Sequence, residues 1–488
     1  MSWTSLEIRP PPVPTDERRW QIGERHPVVE RSGRRNAEHA EEPAHSLRLP
    51  SAFQESEPSE FKAMLWLDMS SPHPANQSVL TNPLHAIGLL SFAGKAVLTL
   101  FVLGWLFWFA PFDDLVDRSG TPLGGDYVMF HVAGQTLLNG DAATLYDDAE
   151  NQKRSASLFP AMDPNESWPY RYPPVTAWLM TSLANLSFGI SFACFFAMCV
   201  AAVVFAIKLL VGELDRGTTD IKPSVFWLLL GWPLVGEALM GGQSSPFALL
   251  FVVGGVIALR RDRDFLGGVL IGLCIYKPNI VGMVVIGTLI ARPKAFWGML
   301  SVAVPALLLS IHAAGVEGVQ RYIELASSLA TAEWNLETPF WKVHGIAPLL
   351  DVIAPGRGKP LAFVCGIPVA IWFGLKLRRS QGHDWWAAVA GLLATNALFN
   401  PYVPIYDLLL LLPVIAIVSR MPAAGRNLSF VDTRVAIIAA LFLAPHLSQA
   451  LTPSIGVQVF PVVLIAVLWM LADWSREPEN ASVALSRV

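Results

Sequence analysis

Charge is scarce in this chain. Asp, Glu, Lys and Arg make up 15% of the 488 residues, apolar residues make up 53%, and the mean hydropathy is +0.44. Soluble domains carry about 25% charge, so these values exclude an ordinary soluble enzyme and point to a polytopic membrane protein. A net charge of −4 offers no basic surface for nucleic acid, and no nucleic-acid partner is expected. Cysteine is rare too. Cys194, Cys199, Cys274 and Cys365 all sit in apolar segments with no Cys-x-x-Cys pair, so they read as small buried hydrophobes. No His, Asp or Glu cluster has metal-ligand spacing, and no Gly-rich nucleotide loop is visible. No obligatory metal and no cofactor are therefore expected. A clean internal repeat is also missing, which weighs against a transporter built from duplicated halves.

What is present is unevenly spread. Residues 1–85 are polar, Pro-rich and mixed in charge, and read as a disordered cytoplasmic tail. They lack a charged-then-apolar leader, and Met64 and Met69 offer alternative starts. Residues 86–475 form the membrane domain, and 476–488 a second cytoplasmic tail. A membrane helix needs ~20 apolar residues. Candidate spans are 94–110, 189–211, 224–240, 245–259, 295–314, 361–377, 384–399, 403–419, 434–451 and 456–473. Arg and Lys gather in alternate connections, at 216–222, 260–263, 292–294, 376–379, 420–434 and 476. By the positive-inside rule those connections are cytoplasmic, as are both termini, in an inner (plasma) membrane.

Three pieces do not fit a zigzag. Only 28 residues separate the basic clusters at 260–263 and 292–294, too few for two spans of ~20 residues each. Segment 265–291 is therefore expected to be a re-entrant hairpin with Tyr276-Lys277-Pro278-Asn279 at its tip. Segments 173–187 and 343–354 read as partial insertions. Broken helices at membrane depth are tolerated where they are buried in protein or line a wet cavity. The expected fold is an all-α polytopic bundle of about 10–13 membrane segments, with a cavity near the outer face.

The one polar island between spans is the first external loop, 111–171, with ten acids against four bases. It contains a short helix entered through Gly124-Gly125-Asp126-Tyr127 and left through Asn139-Gly140. Asp126 at its start is either an N-cap, worth about 1 kcal/mol, or a base toward a bound hydroxyl. His131, five residues on, falls on another helical face and reads as structural. Asp113, Asp114, Asp117, Asp147 and Asp148 read as solvated runs. Trp105, Trp108, Trp385 and Trp386 fit interface anchors, with Trp168 and Trp334 as minor candidates for sugar stacking.

The string Asp126-Tyr127, Ala133-Gly134, Leu137-Leu138-x-Gly140, Leu145-Tyr146-Asp147 and Tyr172-Pro173-Pro174 resembles the first external loop of glycosyltransferase family 87. Those proteins are membrane sugar transferases of the C-type fold. Gly242-Gln243, Gly267-Gly268 through Lys277-Pro278, and Asn400-Pro401 with Tyr406 agree, so the resemblance spans roughly 90–420. It implies a polyprenyl-phosphate sugar as donor, usually mannose and in some members arabinofuranose, a glycolipid or glycan acceptor on the outer face, and an aspartate base that falls on Asp126. A single base suffices for an inverting displacement. The paired carboxylates of retaining hydrolases are not required.

Cations must hold the leaving phosphate. Arg171, between Tyr170 and Tyr172, is the first candidate, with interfacial snorkelling as its plain alternative. Lys277 is the second, as an intramembrane cation, and His344 the third. The family shows Asn, Gln and Ser near this last point, so Lys342-Val343-His344 is a departure. Tyr127, Tyr172 and Gln243 complete the substrate-binding candidates. The competing class is a polytopic transporter or lipid flippase, which should instead show repeat symmetry and paired ionisable residues near mid-bilayer.

Overall fold

A computed structural model describes residues 83–109, 115–118, 120–163, 166–215, 222–331, 334, 339–420 and 433–474. Residues 1–82 of the expected N-terminal tail, Asp113, Asp114 and the second tail lie outside the described residues, and the last three residues of the expected first tail, 83–85, already belong to the first helix. Among those described, every regular element is helical, apart from two isolated bridges, Val116 to Pro122 and Val343 to Pro404.

The chain enters through α1 (Pro83–Phe109) and then folds the loop into α2 (Tyr127–Leu138) and α3 (Asp148–Leu158). The short α4 (Pro174–Ala184) leads to α5 (Phe188–Leu214). The expected span 224–240 is instead two pieces, α6 (Lys222–Leu230) and α7 (Pro233–Met240). Trp232 adopts an extended backbone ahead of Pro233, whose ring disfavours a helical residue before it. α8 (Ser245–Arg260) follows, then α9 (Asp264–Gly272) and α10 (Gly282–Ala291), joined by two 3-10 turns that meet at Lys277. α11 (Ala295–Thr331) is broken at Gly315, where φ is 71°. Its first 20 residues suffice to cross a membrane, and its second part runs on to the loop, where Arg321 donates to the Ala143 carbonyl.

After α12 (Ala347–Ile353) come α13 (Gly358–Arg379), α14 (Gly382–Phe399), α15 (Leu412–Arg420), α16 (Thr433–Ile455) and α17 (Phe460–Trp474). Four described helices are long and apolar enough to cross a membrane: Phe188–Leu214, Ala295–Ala330, Gly358–Arg379 and Thr433–Ile455. Large apolar side chains such as Leu100, Phe205, Leu308, Leu447 and Trp469 stand more than half exposed on the outer helices. Apolar exposure on that scale marks a surface made for lipid rather than water.

Two of three hydrophobic clusters among the described residues organise the interior. The larger gathers α6, α7, α8, α14, α15 and α17, with α14 buried along most of its length. That burial places Trp385 and Trp386 in the core with the Arg260 guanidinium 5.7 and 4.6 Å from their rings, rather than at an interface as expected. The smaller cluster packs Tyr127, Val128, Phe130, Leu145, Phe159 and Tyr170 of the loop against Phe188, Phe192 and Phe195 of α5. The polar loop is thus a folded piece with its own core, seated on the start of α5. Of the cysteines, Cys199 and Cys274 are buried as expected, whereas Cys194 and Cys365 face outward.

The segment 265–291 is a re-entrant hairpin. Its two ends are tied by Arg292, 2.9 Å from Asp262 and 3.9 Å from Asp264. α9 then runs beside the start of α11, where a Cβ on Gly268 would strike the Ala295 carbonyl. The tip is gripped from three sides. The Tyr276 hydroxyl donates to the Ser244 carbonyl at 2.7 Å, and Thr176 donates to the Tyr276 carbonyl at 3.0 Å. Asn396 and Asn400, at the end of α14, donate to the carbonyls of Ile280 and Asn279.

Candidate active site

Asp126 does not cap its helix. Its backbone is already helical (φ −61°, ψ −13°), and its carboxylate makes no capping hydrogen bond. The local economy that explains most aspartates at helix starts is therefore absent. Its carboxylate instead accepts from the Gln243 amide, and its backbone N–H donates to the Gly241 carbonyl at 3.1 Å.

Glycines make this juxtaposition possible. Gly124 and Gly242 both have positive φ (84° and 64°), and a Cβ on Gly242 would lie 1.9 Å from the Gly124 carbonyl oxygen. The Gly-Gly step ahead of Asp126 thus lets the loop dock backbone-to-backbone on the turn that opens α8, rather than leaving room for a substrate. Glycine is the residue for such close approach and left-handed backbone.

Around Asp126 the helix breaks converge. Tyr172 precedes α4, Gln243 precedes α8, Lys277 is the hairpin tip, Lys342 lies in the 3-10 turn Phe340–Lys342, and Tyr402 precedes, and Tyr406 lies in, the 3-10 turn Ile405–Leu411 that leads into α15. Irregular backbone inside a membrane protein has to be buried in protein or line a wet cavity, and here it concentrates where the polar side chains are. The Lys277 ammonium lies 2.6 Å from Asp407 Oδ1, which also accepts from the Ser245 hydroxyl at 2.5 Å. It stands 4.9 Å from the Tyr406 ring and 5.7 Å from the Tyr172 ring. Lys277 is 6% exposed and Asp407 4%.

Electrostatics shape the Asp126 carboxyl. Burial pushes its pKa up from the usual value, while the Gln243 amide, the charges of Lys277 and Lys342, and the Tyr406 hydroxyl pull it back. A carboxylate that binds a proton more readily than a solvated one, yet is only partly buried, suits a general base.

The site lies at the Ser245 end of α8, about 24 Å along a 16-residue helix from Arg260. At that other end, Arg261 pairs with Glu213 at 2.6 Å and Arg420 with Asp215. The cationic connections therefore gather at one end of the bundle and the Asp126 cluster at the opposite one.

The sequence model of Glycosyltransferase family 87 matches residues 170–401. Over those residues the chain is similar to that family. No curated protein and no solved structure matches it. The matched region holds Tyr172, Gln243, Lys277 and Lys342, while Asp126 stands outside it, brought back to it by the Gly124–Gly242 contact.

Not every candidate residue joins the cluster. Arg171 turns away into a two-pronged pair with Asp148, at 2.8 and 2.7 Å, which ties the end of the loop to α3. Tyr127 is fully buried. Its hydroxyl bonds Ser191 Oγ at 2.5 Å and its ring packs 4.6 Å from Phe195. His344 is fully buried, its Nδ1 3.1 Å from the Lys342 carbonyl and its Nε2 3.2 Å from the Pro445 carbonyl. His131 is buried with Nδ1 3.1 Å from Ser191 Oγ. Asp147 caps α3 through the Glu150 N–H, and Asp117 accepts from the Thr121 N–H, so neither is merely solvated. Trp334 lies under the Lys359 ammonium, 4.5 Å from its ring.

Four site residues went unremarked as candidates in the sequence: Lys342, Asp407, Ser245 and Tyr402. Asp407 carried a usable signal. It is an acid inside the run Ile405-Tyr406-Asp407-Leu408-Leu409, and ionisable residues in apolar spans are functional suspects. Ser245 and Tyr402 carried none.

Proposed function

We propose that this chain transfers a sugar, mannose in the first instance, from a polyprenyl-phosphate donor to a glycolipid or glycan acceptor at the outer face of the plasma membrane. Asp126 is the base. The acceptor O–H gives its proton to the carboxylate, the acceptor oxygen bonds to the anomeric carbon, and the bond from that carbon to the phosphate oxygen breaks. The electron pair leaves with polyprenyl phosphate, and the configuration inverts. Gln243 holds the carboxylate toward the acceptor, and Tyr172 and Tyr406 offer ring faces and hydroxyls to a sugar.

The observation that carries this reading is the uncapped, partly exposed Asp126 carboxylate with raised proton affinity, set among converging helix breaks. The buried Lys277–Asp407 pair is a feature a transporter would share. The family match weighs for the transferase.

The test is transfer from a panel of radiolabelled polyprenyl-phosphate sugars to host membrane lipids, by wild type and Asp126→Asn. Transfer by wild type and none by a stably inserted D126N is expected. Equal transfer by both would remove Asp126 from the mechanism. No transfer from any such donor would remove the donor assignment.

A further inference from the structure

The leaving phosphate needs a cation, and the structure has already committed most of those near the site. Lys277 is neutralised by Asp407, which lies 2.6 Å away in a buried setting. Arg171 is spent on Asp148 in the loop, and both ring nitrogens of the buried His344 are taken up by backbone carbonyls. Lys342 is different. Among the described residues no carboxylate lies within ion-pair distance of its ammonium, whose nearest marked contact is the Trp341 ring at 5.1 Å. Its charge is nonetheless felt at Asp126 and at Glu166, both on the external loop.

The backbone on either side of Lys342 is clamped. The Gln458 amide, 1% exposed, donates to the carbonyls of Trp341 (3.1 Å) and Val343 (2.8 Å). Its own oxygen accepts from the Thr452 hydroxyl at 3.2 Å and from Ser448. On the other flank the His344 N–H donates to the Val403 carbonyl at 2.9 Å, and Val343 bridges to Pro404. This antiparallel bridge sets Lys342 across from Ile405, the neighbour of Tyr406 in the chain. A lysine that only snorkels into solvent needs no such mount. Here a cation with no carboxylate partner among the described residues is fixed by its backbone at the rim of the cluster that contains the base.

We propose that Lys342 binds the phosphate of the lipid-linked donor and takes up the charge that develops on polyprenyl phosphate as it leaves, while Lys277 and Asp407 form a neutral fixture that sets the tyrosines and the hairpin tip. This inference rests on the reading of the donor given above. The donor is a phosphodiester with one negative charge, and the product is a phosphomonoester that gains nearly a second. A cation at the departing oxygen therefore binds the transition state and product more tightly than the donor, which is the condition for lowering a barrier.

The experiment uses the full-length protein in lipid nanodiscs with Lys342→Met and Lys342→Arg, reading donor and acceptor KM, kcat, and inhibition by polyprenyl phosphate against the uncharged polyprenol. In K342M, inhibition by polyprenyl phosphate weakens about tenfold or more and kcat falls, with inhibition by polyprenol and the acceptor KM unchanged. K342R restores most of the loss. Unchanged inhibition by polyprenyl phosphate in K342M overturns the assignment, as does a change confined to the acceptor KM, which would give the lysine to an anionic acceptor. A wild-type protein that neither uses polyprenyl-phosphate sugars nor is inhibited by polyprenyl phosphate would instead sink the donor reading itself.

Discussion

The two ends of the bundle handle charge in opposite ways. At the Arg-rich end, Arg261, Arg292 and Arg420 each find an acid: Glu213, Asp262 with Asp264, and Asp215. These pairs join the ends of α5, α8, α10 and α15, so they close the structure and leave little charge to do chemistry. At the other end, one pair, Lys277–Asp407, is buried, while among the described residues Asp126 and Lys342 have no ion partner within 4 Å, although the Lys342 charge is felt at Asp126. Leaving charges unmatched costs stability. Tolerating that cost in one place and not in the other is how the fold separates its fastening from its site.

The largest expected effect breaks the comparison at its sharpest point. Asp126→Asn keeps the hydrogen bond with Gln243 geometrically possible but removes the base. Transfer should fall by about 10²–10⁴-fold, read in a steady-state assay, with detergent-solubilised yield and thermal midpoint unchanged. Loss of stability alongside activity would make Asp126 a fastening residue like those of the opposite end.

Asp407→Asn comes next, because it strands the Lys277 charge inside the protein. Removing one member of a buried pair costs about 3–5 kcal/mol, and the loss should appear as a lowered thermal midpoint together with reduced kcat. The double replacement Lys277→Met, Asp407→Leu should recover much of the midpoint while activity stays low. Recovery of both would show that the pair fastens and does nothing more. By contrast Arg420→Met, at the other end, should lower the midpoint and leave the donor and acceptor KM untouched.

Gln243→Leu sharpens the comparison through pH. The amide favours the ionised Asp126 carboxylate, so its loss raises a pKa that burial already holds above the usual value. The base is active only when ionised. The acid limb of kcat/KM should therefore begin at higher pH in Q243L than in wild type, and an unmoved limb would take Gln243 out of contact with the working carboxylate.

How far all this could be read from the sequence depends on the distance over which each signal acts. The hairpin at 265–291 was legible because length and flanking Arg residues constrain it locally, and its tip position at Lys277 followed. The broken span 224–240 was not recognised as broken, although Pro233 marked it, since apolar composition alone does not separate one helix from two. Asp126 was legible as a position but not as a geometry. Whether it caps its helix or meets Gln243 is decided by Gly242, more than a hundred residues away. Arg171 shows the opposite failure. Its placement between two tyrosines suggested a phosphate ligand, but the partner that claims it, Asp148, belongs to a helix whose packing no local pattern reveals. Lys342 was noted only as a departure from the family, because its lack of a carboxylate partner among the described residues becomes visible once Lys277 and Arg171 are seen paired with Asp407 and Asp148.

The smallest expected effect lies at Arg171. Its pair with Asp148 is half in solvent, with side-chain exposures of 22% and 52%, so Coulomb attraction is screened and exposed pairs of this kind contribute about 0–1 kcal/mol. Arg171→Met should move the thermal midpoint slightly and leave inhibition by polyprenyl phosphate unchanged, in contrast to K342M. If R171M instead weakened that inhibition as much as K342M does, the guanidinium would have to leave Asp148 for the phosphate during the reaction. The loop would then be a moving part of the site rather than a folded support, and the division between fastened and unmatched charge would hold only for the protein at rest.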